Sequence, residues 1–274
     1  MLKSKKSKVS IALIALFLAI EGVPFYIMIV GAFKPNMAFM LIPPDINPFT
    51  KMVASNFFHV VNNSDVMLWI ANSFIISIGV AALTMFIAAT AAYALSRIEF
   101  RFRDLLFSLV IITMILPKQI LLIPNYLVAL KLGLTDSLAG VILTTVAPAF
   151  GIFLCRQFML NIPHELSEAA EIDGCNELKT FFHIILPMSL PALGALGIFA
   201  FFGAFNDYLW QLVMISSKNL QTVPIGIAMF AQKSINNTGY QLMAALLSTG
   251  PLLVLFIACQ KFFVKGITMG GLKG

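Results

Sequence analysis

Apolar runs too long for any soluble helix recur along this chain, at roughly 9–33, 68–96, 105–130, 137–158, 186–215 and 239–264. A helix rises 1.5 Å per residue, so about 20 apolar residues cross a hydrocarbon layer about 30 Å thick. Only 11% of the residues are charged and 59% are hydrophobic, whereas soluble domains carry about 25% charged residues. In lipid each backbone N–H and C=O must be satisfied within its own segment or in a closed barrel. These runs are too long and too evenly apolar for alternating barrel strands. The sequence therefore predicts an all-α polytopic membrane protein with six transmembrane helices.

The first eight residues carry Lys3, Lys5, Lys6 and Lys8, as the front of a signal peptide would. Apolar character continues to Phe33 without a small-x-small cleavage site, so this reads as a retained first span. With the N-terminus cytoplasmic, the inner segments hold Lys3, Lys5, Lys6, Lys8, Arg97, Arg101, Arg103, Arg156, Lys179, Lys261, Lys265 and Lys273, twelve of the eighteen Lys and Arg residues. Lys34, Lys51, Lys131, Lys218 and Lys233 fall outside. The asymmetry predicts a plasma-membrane protein with both termini cytoplasmic. It also accounts for the net charge of +6 without a nucleic-acid partner. Cys155, Cys175 and Cys259 fall at or near the reducing side, so no disulfide is expected. His59, His164 and His183 lack metal-ligand spacing, and no metal site is expected.

The connection from Lys34 to Met67, with Pro35, Pro43, Pro44 and Pro48, favours extended and turn structure over helix. The third run is interrupted by Pro117 and Pro124 with Lys118 between them, which predicts a kinked or unwound outer half. Lys118 is either a snorkelling interface residue or a pathway residue. Glu21 and Asp207 are carboxylates within apolar runs and should face protein or water. Glu21 can hydrogen-bond a neighbouring helix. Asn206, Asp207, Tyr208 and Trp210 suit either sugar hydroxyls and ring faces or an interfacial aromatic belt.

The stretch from Asn161 to Pro191 differs in kind. Glu165, Glu168 and Glu171 are helix-compatible after Pro163, and Asp173-Gly174 supplies a left-handed stop. Asn176 can cap a second helix carrying Leu178, Phe181, Phe182 and Ile185. The segment is acidic, with Glu165, Glu168, Glu171, Asp173 and Glu177 against Arg156 and Lys179. An anionic leaflet repels such an element, which favours a protein partner. From composition alone, a solvated loop remains an equal alternative.

Glu168-Ala169-Ala170-x-x-Asp173-Gly174, followed by Ile184-x-Leu186-Pro187, resembles the EAA loop of binding-protein-dependent ATP-binding-cassette (ABC) importer permeases. The resemblance continues through Phe33-Lys34-Pro35, Asn72-Ser73, Ala91-Ala92-Tyr93-Ala94-Leu95-Ser96-Arg97, Ile123-Pro124-x-Tyr126, Leu132-Gly133-Leu134, Arg156-Gln157-Phe158 and Asn206-Asp207-Tyr208-Leu209-Trp210. The ending Phe263-Val264-Lys265-Gly266-x-Thr268-x-Gly270-Gly271-x-Lys273-Gly274 is similar to the tail of the maltose-permease-like second subunit of the carbohydrate branch. Cys175 departs from the usual Ala and Lys118 from a position usually uncharged.

This resemblance implies the type I ABC importer permease fold. It implies a helix and extracellular loop over 1–67, a five-helix permease domain over 68–264 with a cytoplasmic coupling loop at 161–187, and a tail at 265–274. It also implies a homologous second permease as heterodimer partner, two cytoplasmic ATPase subunits and an extracytoplasmic solute-binding protein. The cargo would be a sugar, most suitably an oligosaccharide. Docking would use Glu168, Ala169, Ala170, Asp173, Gly174, Leu178, Phe181, Phe182, Leu186 and Pro187, and Gly270, Gly271, Lys273 and Gly274 would reach the ATPase. The sugar path would use Asn206, Asp207, Tyr208, Trp210 and Lys118. No Gly-x-x-x-x-Gly-Lys-Ser/Thr loop occurs, so no cofactor is expected on this chain, and ATP and Mg belong to the ATPase partner. Gly-x-Ser-x-Gly and His-Glu-x-x-His are also missing, so the chain is not expected to be an enzyme. A secondary transporter driven through Glu21 and Asp207 is the competing class.

Overall fold

Wherever the sequence runs apolar the backbone closes its hydrogen bonds as helix, and no strand occurs among the described residues. The computed structural model describes residues 2–146 and 148–270, with side chains described for 10–146 and 148–258. In chain order the helices are α1 (Leu2–Ala32), α2 (Ser55–Asn63), α3 (Val66–Arg97), α4 (Arg103–Ile115), α5 (Leu122–Lys131), α6 (Leu138–Thr145) and α7 (Ala149–Met159). Then follow α8 (Glu165–Ile172), α9 (Glu177–Thr180), α10 (Leu186–Met188), α11 (Leu190–Phe205), α12 (Leu209–Met214), α13 (Val223–Lys233) and α14 (Thr238–Gly270).

Three single helices contain segments long and apolar enough to cross a bilayer: Ser10–Ala32, Val66–Arg97 and Thr238–Ala258. Two bent pairs pass the same test together, α6 with α7 at 52° and Glu177–Met188 with α11 at 74°. The sixth expected span, 105–130, is two helices separated at 116–121, around Pro117 and Lys118. Each is too short to cross alone. Asp207, expected inside the fifth apolar run, lies instead between α11 and α12, where the helix is interrupted.

The chain forms two compact units, one of residues 1–67 with 226–253 and the other of 68–225 with 254–274. In the first, the connection from Lys34 to Met67, expected to favour extended and turn structure over helix, contains a helix in its second half. Its four prolines all lie before residue 49, and Ser55–Asn63, which has none, folds as α2 with Asn56 and Val60 buried. The Asn56 amide donates to Ala32 O and Lys34 O, both at 2.9 Å, satisfying carbonyls that the end of α1 leaves open. A Cβ at Gly239 would stand 2.7 Å from Asn56 Nδ2 and 2.8 Å from Lys34 O, so only glycine permits this approach. Lys34 itself is fully buried. Its ammonium donates to Asn47 O at 2.5 Å and to Thr50 Oγ1, and it pairs with Asp45 at 3.4 Å.

The second unit is built on α3. Ala88, Ala92 and Tyr93 of α3 pack with Ile152, Cys155 and Met159 of α7, with Phe181 and Ile185, and with Leu193 and Leu196 of α11. Small residues let these backbones come close, as expected where apolar burial alone gives helices no reason to associate. Toward the other end of α3, Ile76 and Val80 meet Ala129, Val141, Met214 and Ile225.

Asp136, in the turn between α5 and α6, has φ +53. Its carboxylate accepts from the Ser217 hydroxyl at 2.5 Å and from the N–H groups of Ser217 and Ser216 at 2.8 and 3.0 Å. The Ser217 hydroxyl, then these two N–H groups, hold its carboxyl below the ordinary 3.8. A depressed carboxyl stabilises the fold fully above 3.8 and loses that contribution as pH falls through the lower folded value. Asp136→Asn, which tolerates the same backbone, should therefore lower the melting temperature at neutral pH. Calorimetry of the detergent-solubilised protein should show the gap to wild type closing in acid.

Candidate functional site

Residues 161–188 project between two long apolar segments, and local chemistry explains their shape. α8 ends in a Schellman motif, in which the Cys175 N–H reaches Ala170 O at 2.8 Å and the Gly174 N–H reaches Glu171 O at 2.9 Å. Gly174 has φ +80, a conformation open to glycine and costly for residues with a Cβ. The chain then reverses, and Asn176 caps α9 by accepting the Lys179 N–H at 2.9 Å. After Thr180 the helix widens into a π-helical turn over Phe181–Ile185 before α10 and Pro187.

This arrangement presents one face and anchors the other. Glu168, Ala169, Asp173, Gly174, Leu178, Phe182 and Pro187 are exposed, Leu186 is half-buried, and Ala170 and Phe181 are buried. Phe181, expected among the docking residues, thus packs inward against Tyr93, with ring centroids 5.0 Å apart. Leu178 and Phe182 remain 68% and 52% exposed, with Ile172 at 87%. An acidic helix beside three bare apolar side chains, on a turn fixed by glycine, suits a protein cleft better than water.

The base of the projection is held by residues outside it. The Tyr93 hydroxyl donates to Glu177 Oε2 at 2.5 Å. Arg97 Nη2 donates to Met159 O and Ile162 O, each at 2.5 Å, and Arg156 Nε donates to Leu95 O at 3.0 Å. The two arginines are reciprocal: each supplies donors to carbonyls at the C-terminal end of the other's helix, where the helix dipole is negative. The Arg156 guanidinium also lies 3.9 Å over the Phe107 ring and 3.9 Å from Asp104. From the sequence these residues read only as orientation charges or parts of a resemblance. An arginine just past each apolar run was the available signal, but its target carbonyls are about sixty residues distant.

The sugar-path candidates are arranged less conclusively. Asn206 Nδ2 turns back to Phe202 O at 2.9 Å, Asp207 Oδ1 accepts the Trp210 N–H at 3.2 Å, and Trp210 Nε1 donates to Thr144 Oγ1 at 3.0 Å. Three of the four side chains are thus engaged in shaping the break between α11 and α12, and Tyr208 is exposed. Lys118 is exposed in the turn between α4 and α5, and no hydrogen bond or ion pair joins it to this group among the described residues. Glu21 is exposed on α1. Gly270 ends α14, while Gly271, Lys273 and Gly274 lie outside the described residues. Among the described residues no group of three or more His, Cys, Asp or Glu could hold a metal.

Comparison with known proteins finds relatives in sequence and in fold. Residues 84–269 match the family described as "binding-protein-dependent transport system inner membrane component". The chain is 34% identical over 267 residues to the arabinooligosaccharides transport system permease protein AraQ of Halalkalibacterium halodurans, covering 96% of this chain and 93% of that one. It is 33% identical to the sn-glycerol-3-phosphate transport system permease protein UgpE of Salmonella typhimurium, over 93% of both chains. A crystal structure of a bacterial ABC transporter that imports the acidic polysaccharide alginate contains a chain that superposes with TM-score 0.83 at 20% identity, over 94% of this chain and 96% of that one. At that identity the likeness is one of fold.

Proposed function

The chain belongs to the family of binding-protein-dependent transport system inner membrane components, and from that premise we propose that it forms half of the translocation path of an ATP-driven oligosaccharide importer. It is a multi-pass transporter permease subunit, not an enzyme. The pathway is completed by a homologous second permease. Two cytoplasmic ATPase subunits supply the energy, and an extracytoplasmic solute-binding protein delivers the sugar. Six crossings, with α4 and α5 together making one broken crossing, leave both termini in the cytoplasm. That topology puts the projection on the cytoplasmic side, in agreement with its acidic charge.

The observation that carries this reading is the projection itself: two short helices joined by the Gly174 turn, presenting Glu168, Ile172, Leu178 and Phe182 outward. It docks in an ATPase cleft and moves as a lever when ATP closes the ATPase pair, and coupled motion of the helices then alternates access to the path. Asn206, Asp207, Tyr208, Trp210 and Lys118 are its candidate sugar contacts, and the tail from Gly270 to Gly274 a second ATPase contact.

Uptake of arabinooligosaccharides, maltodextrins and glycerol 3-phosphate by cells that do and do not express the chain tests this. With ion gradients collapsed by ionophores and ATP maintained, uptake of at least one oligosaccharide should persist. Uptake that vanishes with the gradients while ATP is intact would instead favour the secondary transporter.

A further inference from the structure

We infer that Tyr93 and Arg97 are positioning residues that make the projection and α3 a single mechanical unit, so that displacement of the coupling loop is passed directly into a membrane helix. This rests on the coupling function proposed above. Tyr93 and Arg97 stand four residues apart, hence on one face of α3. They hold opposite ends of the projection. Arg97 grips the entry through Met159 O and Ile162 O, and Tyr93 grips the return through the Glu177 carboxylate. All three bonds involve an ionised donor or acceptor, the stronger class of hydrogen bond. Phe181, the first residue of the π-helical turn, packs on the Tyr93 ring, so the return limb is held by both its polar and its apolar side.

A bland alternative is that these contacts only close off helix ends. That role requires carbonyls to be capped. It does not require the entry and return of a reversing segment to be tied to the same turn of the same helix. It also leaves unexplained why Glu177, exposed on a four-residue helix, places its carboxylate on the Tyr93 hydroxyl 84 residues distant.

The test uses the complete complex purified through the tagged chain, with spin labels at Glu171→Cys on the projection and Ile78→Cys on the exposed face of α3, in a Cys175→Ser and Cys259→Ser background. Immobilisation of the label at position 171 reports docking. ATP with vanadate drives closure of the ATPase pair. The wild-type label distance should stay unchanged on adding ATP and vanadate, because the two sites move together. Tyr93→Phe retains the ring packing and removes only the hydroxyl, and Glu177→Ala removes the carboxylate acceptor, leaving the hydroxyl only its longer bond to the carbonyl of residue 177 at 3.3 Å. Each should let the distance shift and broaden on ATP and vanadate. Glu177→Gln, which keeps an acceptor for the hydroxyl, should restore the wild-type distribution.

A wild-type distance that shifts on closure would overturn the inference, as would Tyr93→Phe and Glu177→Ala distributions indistinguishable from wild type in both states. A mobile label at position 171 in the otherwise wild-type complex would overturn the docking function itself, and the inference with it.

Discussion

Glu168→Ala combined with Gly174→Leu should abolish sugar uptake while the chain remains inserted and abundant in the membrane. The expected loss has two separable causes. Glu168 is exposed in the first turns of α8, so its removal costs the fold little and takes a charged contact from the docking face. Gly174 acts through the backbone. A Cβ built there meets open space, so the penalty at the Cβ comes from forcing an L residue to φ +80 rather than from a clash. That penalty is about 1–2 kcal/mol, enough to favour other geometries at the end of α8. The Schellman bonds from Cys175 and Gly174 would then break, and the return limb would leave in a different direction. Because this distortion is local, quantitative immunoblotting of membranes should find wild-type amounts of a protein that transports nothing. Normal uptake by the well-expressed double variant would remove the coupling role from this segment.

Lys34→Met has the largest expected effect on stability. The ammonium is completely buried and is the common donor to Asn47 O, Thr50 Oγ1 and Asp45. Methionine fills the space and supplies no donor. Removing one member of a buried ion pair costs about 3–5 kcal/mol, because the remaining charge is left without compensation. The cost at this site falls below that range, since Asp45 keeps 27% of its side-chain surface in water and still accepts from the Thr50 hydroxyl at 2.7 Å and the Asn47 N–H at 3.0 Å. Once Lys34 is gone, the segment is held by these local bonds and by the Tyr26 hydroxyl on Ile46 O. Limited proteolysis should cleave between residues 35 and 53 far faster in the variant than in wild type, and the melting temperature should fall. Asp45→Asn should have a smaller effect, because it leaves Asn47 O and Thr50 to the ammonium.

Lys34 illustrates where sequence reading stops. As one of five Lys residues assigned to the outer side and the middle of Phe33-Lys34-Pro35, it reads in the sequence as an orientation charge and a point of resemblance, with nothing to mark it as buried. That it is buried depends on a loop folding back over it, a pairing eleven to sixteen residues distant that no local pattern encodes. The same holds for Arg97, Arg156 and Tyr93, whose partners are 61 to 84 residues away. By contrast, the α8–α9 projection was legible almost residue by residue, because Gly174 and Asn176 act on backbone groups within a few positions of themselves.

Hydropathy located the apolar segments but could not count crossings. Helix breaks at 116–121 and 206–208 fall on short polar or proline interruptions, Pro117-Lys118-Gln119 and Asn206-Asp207, that do not end the apolar runs around them. α2 was missed for the opposite reason: its nine residues bury only Asn56 and Val60, too little apolar surface to stand out beside four prolines. Tyr208 and Trp210 remained ambiguous because aromatic rings satisfy both an interfacial belt and a sugar face, and the Trp210 bond to Thr144 involves a partner in another helix.

The central claim is that the projection docks on a separate ATPase subunit. The most direct measurement places a photo-crosslinker at Leu178, which is 68% exposed, in the tagged chain within its native membrane. The crosslinked product is then identified by mass spectrometry. A crosslink to a nucleotide-binding ATPase subunit, lost in the Glu168→Ala and Gly174→Leu double variant, is the predicted result. A label that reacts only with lipid or with this chain, while the complex is intact and transporting, would contradict it.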